Sequence, residues 1–190
     1  MKKNLVTSVL MTLATTVLLG IIYPLVVTGL AQALFKDKAN GQLIEANGKV
    51  IGSHLLAQAF TGSGYFHPRP SAVAFDPTNT NGSQLGPTNR KLVDRVQGDV
   101  AAAQVENPGT PVPIDLVTES ASGLDPHISP AAAAFQVPRV AKSRGISVDE
   151  LSRIVVADTQ GRQFGFLGEA RVNVLELNLD LDSRFATAKR

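Results

Sequence analysis

The sequence predicts an α+β fold, with a single N-terminal transmembrane helix followed by one extracytoplasmic α+β domain. Three observations carry this. Residues 4–35 hold no charged side chain and follow directly on Lys2 and Lys3. Helix-start signals at Asn89, Ser129 and Ser147 are separated by loops rich in Gly, Pro, Ser and Asn. Extended patterns occur only around Asn47-Gly48 and beyond Gln163, so strands do not alternate with helices as a βαβ series requires.

The uncharged stretch reaches about 48 Å as a helix, against a hydrocarbon core of about 30 Å. The organisation this implies is a cytoplasmic N-terminus over residues 1–4, a transmembrane helix over 5–35, an outer domain over 36–182 and an exposed tail over 183–190. A cleaved secretory signal is the competing reading, because Ala31-Gln32-Ala33 has the small-x-small form. Signal cores end after about 15 residues, however, and here apolar residues continue from Leu5 to Leu34. A retained anchor is expected. Within it Ser8, Thr12, Thr16, Gly20, Pro24 and Thr28 recur at a spacing of four. Small residues so spaced let a neighbouring helix approach closely, although hydroxyls are also tolerated in membrane spans by bonding to the preceding turn. The stripe drifts around an ideal α-helix, so only part of it can face one partner. Pro24 is expected to kink the span or mark its outer end, with Tyr23 at the headgroup level. Lys2, Lys3 and the terminal amine precede the span, whereas Asp37 offsets Lys36 and Lys38 after it, which places the N-terminus inside and the domain outside.

The outer domain opens with a hairpin signal, Asn47-Gly48 between two short apolar runs. Residues 62–87 show no period and read as a long loop. A helix begins near Thr88 or Asn89, with Leu92, Val93, Val96, Val100 and Ala103 on one face, and Asn107-Pro108-Gly109 ends it. After a second loop, Ser129-Pro130 pairs an N-cap with proline at the first helical position, and the helix runs to Arg144-Gly145 with Pro138 bending it. Ser147 and Glu150 form a capping box that opens another helix toward Val156. Beyond Gln163 the pattern is extended. Val172 and Val174 alternate with polar residues, then the phase slips and Leu175, Leu177, Leu179 and Leu181 alternate, which predicts a bulge or strand break at Val174/Leu175.

Charge excludes one class of partner. Removing Lys2 and Lys3 from the 18 basic residues leaves 16 against 16 acidic ones, and no basic stripe with interleaved aromatics points to nucleic acid. No GxxxxGK[ST] or G-x-G-x-x-G loop is present, and without cysteine a thiolate zinc site cannot form. His54 reads as structural. His67 and His127 lie in proline-framed segments, with Arg69 and Asp125 close by in sequence. Asp125, His127 and Ser129 suggest a triad, but residues two apart rarely converge as triad members, and no G-x-S-x-G elbow is present. A metal site from His67, Asp125 and His127 lacks ligand-type spacing. Rigid loop structure is the expectation, with no catalytic, cofactor-binding or metal residue assigned.

Five strings then stand together: Tyr23-Pro24-Leu25-Val26-Val27-Thr28-Gly29; Tyr65-Phe66-His67-Pro68-Arg69-Pro70-Ser71; Leu85-Gly86-Pro87-Thr88-Asn89; Gly123-Leu124-Asp125-Pro126-His127-Ile128-Ser129-Pro130; and Gly165-Phe166-Leu167-Gly168 with Arg171-Val172-Asn173-Val174. In this order they resemble the C subunit (KdpC) family of the bacterial Kdp potassium-transporting ATPase. Ala170 stands where the family pattern has proline, and the tail from Ser183 is unmatched. The resemblance implies a non-catalytic accessory subunit of an ATP-driven potassium importer, single-pass in the bacterial inner membrane with a periplasmic domain, needed for assembly. Its implied partners are a channel-like potassium-translocating subunit, a P-type ATPase subunit and a small single-helix subunit. The family is described as a catalytic chaperone that raises the ATP affinity of the ATPase subunit. ATP, Mg and K would be used by those partners, with none bound directly here. His67, Arg69, Asp125, His127 and Arg171, which lie within these strings, are expected to be structural residues of the loops. A membrane-anchored envelope hydrolase and a periplasmic scaffold module are the alternatives.

Overall fold

The structure, a computed structural model, describes residues 2–185. It forms two compact units that divide after Ser53. The first begins with a continuous helix, Lys2–Leu34, of 33 residues, whose most apolar 18-residue stretch has a mean hydropathy of 2.2. It comprises α1 (Lys2–Thr15), a π-helical stretch (Thr16–Ile22) and α2 (Tyr23–Leu34), with no buried residue in any of them. Pro24 does not end the helix. Proline lacks an N–H and its ring crowds the carbonyl four residues back. Here the preceding turns widen instead, and the Tyr23 N–H reaches Leu18 O, five residues away.

Phe35 breaks the helix, and α3 (Lys36–Ala39) leads to β1 (Leu43–Ala46) and β2 (Lys49–Ser53). Asn47 and Gly48 both have positive φ (53° and 72°), the backbone that the Asn-Gly pair predicted. The hairpin belongs to the first unit rather than opening the second. Its ladder is internal, pairing Leu43 with Ser53 and Ala46 with Lys49, and Ser53 Oγ donates to Gly41 O at 2.6 Å.

The second unit starts with a loop from His54 to Asn89 that contains neither helix nor strand. Asn89 caps α4 (Arg90–Glu106) through its side chain, which accepts from the Lys91 N–H. No residue of α4 is fully buried, so polar ties matter in attaching it. Glu106 pairs with Arg139 at 2.8 Å, and the Asn107 side chain donates to Phe135 O at 3.1 Å. Ser129 and Ser147 cap α5 (Pro130–Arg144) and α6 (Val148–Ala157) as expected, each accepting a backbone N–H, and Gly145 closes α5 at φ 70°. These two helices pack on each other, and α5 also packs on the central strand of a three-stranded antiparallel sheet of β3 (His127–Ile128), β5 (Arg171–Asn173) and β4 (Thr159–Gln160), in that order.

The C-terminal segment departs from its sequence pattern. The leucine alternation forms no strand: β5 ends at Asn173, whose side chain accepts from the Leu175 and Glu176 N–H groups and caps α7 (Val174–Arg184). The expected bulge at Val174/Leu175 is therefore a strand-to-helix junction. On α7 the buried set is Val174, Leu175, Leu177, Asn178 and Leu181, a helical spacing that places Asn178 inward among apolar neighbours. The core joins Phe66, Ile128, Val140, Leu151, Val172 and Leu177, all at or below 2% exposure. The helix also carries the chain beyond the expected domain end at 182, and Phe185 packs against the core. The rest of the expected tail, 186–190, lies outside the described residues.

Candidate functional site

Two features of the fold could serve partners: a cradle of proline-framed loops and the unburied face of the N-terminal helix. The cradle is built on Phe66 and His67. Asn178 Oδ1 accepts the Phe66 N–H at 2.8 Å and its Nδ2 donates to Phe66 O at 2.9 Å. Gln136 does the same for the next residue, accepting the His67 N–H at 2.8 Å and donating to His67 O at 3.1 Å. Two buried amides thus satisfy a loop backbone as a neighbouring strand would. Sequence reading passed over both residues. The available signal was the presence of Asn178 in a row of leucines, since Asn is depleted in strands.

Beyond His67, the loop is tied to the segment before β3. Arg69 donates to Asp125 Oδ2 at 3.2 Å, to Thr118 O at 3.3 Å and to Glu119 O at 3.2 Å. Ser71 Oγ donates to Gly123 O at 2.6 Å while accepting the Phe75 N–H at 3.0 Å. Asp125 Oδ1 accepts the His127 N–H at 3.0 Å, and the His127 ring Nδ1 lies 3.4 Å from the same oxygen. Burial pushes the Asp125 carboxyl up, but the His127 ring, the His127 N–H and the Arg69 guanidinium together hold it below the ordinary aspartate value.

The expected residues do not all converge. Arg69 and Asp125 line one cleft of about 510 Å³. His67 lines another, of about 240 Å³, beside Asp99 and Glu106. Its ring Nε2 lies 3.2 Å from Gly62 O. Arg171 belongs to neither cleft; it sits on β5 and donates to Gln160 Oε1 at 3.2 Å. Ser129 does not complete a relay with Asp125 and His127, because its hydroxyl donates to Asp115 Oδ1 at 3.0 Å and accepts the Ala132 N–H. Among the described residues no group of three His, Cys, Asp or Glu side chains converges.

Burial lowers the His67 pKa, and Arg139 lowers it further against the opposing pull of Gly62 O and Glu106. A histidine held below its ordinary value of 6.5 contributes stability that is complete above that pH and lost as pH falls through the folded value. Melting temperature is therefore expected to fall on acidification from about pH 7 to about pH 5, and less steeply in His67→Gln, which keeps a polar group near Gly62 O. An unchanged slope in the variant would contradict this.

On the N-terminal helix the six stripe residues are unburied. Ser8 Oγ bonds back to Asn4 O at 2.9 Å. The π-helical stretch alters the stripe's course. Four residues exceed one turn of α-helix but fall short of one turn of π-helix, so the drift reverses between Thr16 and Gly20 and the small residues stay nearer one flank. A Cβ at Gly20 would meet only Thr16 Cγ2 within 4 Å, at 3.9 Å, so added bulk there meets open space.

Residues 5–183 match the model of the family described as KdpC: K+-transporting ATPase, c chain. The chain is 64% identical to the Potassium-transporting ATPase KdpC subunit of Koribacter versatilis, covering 96% of this chain and 95% of that one. It is 56% identical to the subunit of that name from Rhodospirillum rubrum, covering 92% and 93%. A third, from Acidobacterium capsulatum, is 52% identical over 94% and 97% of the two chains.

Proposed function

Because the chain belongs to the KdpC family of K+-transporting ATPase c chains, we propose that it is a non-catalytic accessory subunit that assembles and stabilises an ATP-driven potassium importer. The observation that carries this reading is the helix Lys2–Leu34, apolar and unburied by its own chain, with small residues gathered toward one flank. Such a helix gains stability from lipid around it and from another helix against that flank. In this proposal the partners are a channel-like potassium-translocating subunit, a P-type ATPase subunit and a small single-helix subunit. The helix spans a bacterial inner membrane with its N-terminus in the cytoplasm, and the second unit lies outside. ATP, Mg and K act on the partners. An influence on ATP affinity then passes through the assembled complex as a coupling between sites, with no contact between this chain and nucleotide.

The test is purification through a tag on the C-terminus, followed by identification of what co-migrates in mild detergent. Thr16→Leu together with Gly20→Leu should cut recovery of the other subunits by at least about threefold, because both bulky groups enter a helix–helix contact. Since Gly20 has open space within its own chain, the loss would report on the partner. Unchanged recovery removes the packing flank from the proposal.

A further inference from the structure

The turn between β4 and β5 displays apolar side chains that the fold does not use. Phe164 is 86% exposed, Phe166 71% and Leu167 48%. The turn is nonetheless firmly built. Gln163 and Leu167 exchange both backbone hydrogen bonds at 2.9 Å, and the Gly165 and Phe166 N–H groups bond to Arg162 O and Gln163 O at 3.1 and 3.2 Å. Phe164 is held at φ +53°, a left-handed backbone that a bulky side chain adopts at a cost. Burial does not recover that cost within this chain, since the ring faces solvent.

We propose that the turn 163–168 is a docking knob whose Phe164, Phe166 and Leu167 side chains enter an apolar socket on a neighbouring subunit of the same ATPase, an inference that rests on the accessory-subunit reading above. Rigidity favours a protein socket over a lipid surface. A bilayer interface is fluid and gains nothing from a strained turn closed by backbone hydrogen bonds, whereas a socket of fixed shape rewards rings that are already in position. Charge agrees with this. Arg162 and Glu169 flank the turn with opposite signs and form no ion pair among the described residues, so the tip lacks the basic excess that draws a loop to anionic lipid. Size agrees as well: two phenylalanines and a leucine make an anchor cluster, well below the roughly 800 Å² per partner of a free-standing protein interface. A membrane helix held in the same complex supplies the missing affinity by raising the local concentration of the knob.

The experiment uses the full-length tagged chain in the assembled complex. With p-benzoyl-phenylalanine in place of Phe166, irradiation is expected to give an adduct with another subunit of the co-purifying ATPase. Adducts with lipid alone, with a protein outside the complex, or with nothing while the complex co-purifies, overturn the knob. Separately, Phe164→Ser with Phe166→Ser is expected to lower recovery of the complex about tenfold while the melting temperature of the chain itself stays unchanged, as hot-spot removal from an exposed tip should do. Recovery within twofold of the unsubstituted chain overturns the knob even if an adduct forms. If the unsubstituted chain recovers no ATPase subunit, the accessory-subunit reading fails first and for a different reason.

Discussion

Asn178→Leu is expected to destabilise the second unit by about 2–5 kcal/mol, because it leaves a buried N–H and a buried C=O of Phe66 without partners. The substitution looks harmless in the sequence, where it extends a row of leucines. In the fold Asn178 is 1% exposed and lies 112 residues along the chain from the backbone it satisfies. The loss should appear as a fall in melting temperature of roughly 5–15 °C for the full chain in detergent. The loop carrying His67 and Arg69 should loosen with it, since Phe66 is its only fully buried apolar anchor beside those residues. A melting temperature within about 2 °C of the unsubstituted chain would show that the amide clamp is dispensable.

Gly123→Val is expected to be nearly as damaging, and through a different cause. Gly123 has φ +69°, and a Cβ there would sit 2.6 Å from Val73 Cγ2 and 2.9 Å from Asn81 O. Left-handed strain of about 1–2 kcal/mol and overpacking of about 1–3 kcal/mol then combine. Val73 could swing aside, but Asn81 O is backbone, and its residue is itself bonded to Ser122 O at 3.0 Å. The chain is therefore expected to yield by separating the two loops, breaking the Ser71–Gly123 bond and exposing residues 71–81 to protease. Gly109 provides the comparison: its φ is +78° but no atom lies within 4 Å of a Cβ, so Gly109→Ala should cost only about 1–2 kcal/mol of backbone strain. Equal effects at both glycines would mean that the cradle does not depend on this close approach.

Most element boundaries were legible because their causes are local. Asn89, Ser129 and Ser147 each cap a helix by accepting an N–H two or three residues ahead, and Gly145 ends one by adopting a backbone that other residues resist. The Asn47-Gly48 turn is decided within its own residues in the same way. The C-terminal segment was misread because alternation is only indirect evidence of a strand. On α7, Leu177 and Leu181 share the inward face with Val174 and Asn178, while Leu179 is half-buried on the flank. A polar residue that faces inward erases the helical period, and only its distant partner explains why it does so.

The candidate cradle was legible in its residues and opaque in its connections. His67, Arg69, Asp125 and His127 stand out through the prolines around them, yet the fold joins Arg69 to Asp125 and sends His67 to a separate cleft beside Arg139 and Glu106. Arg144 gave no signal beyond the end of its helix. Its side chain is 2% exposed, donates to Gly64 O at 2.6 Å and to Asp182 Oδ1 at 2.8 Å, and lies over the Tyr65 ring. In a sequence it reads only as a basic residue in the last turn of a helix.

By itself the amino-acid sequence determined the uncharged N-terminal span, the helix starts, the tight turn at Asn47-Gly48 and the family, since each depends on residue types at short spacings or on ordered strings of them. Only the tertiary structure decided that the leucine row is a helix, that Asn178 and Gln136 hold the Phe66–His67 backbone, that Gly123 has no room for a side chain, and that Phe164 and Phe166 remain in solvent. The reason is physical. A cap or a turn is satisfied by neighbours a few residues away, whereas a buried amide or a close backbone approach has its energy set by groups that meet only when the chain has folded.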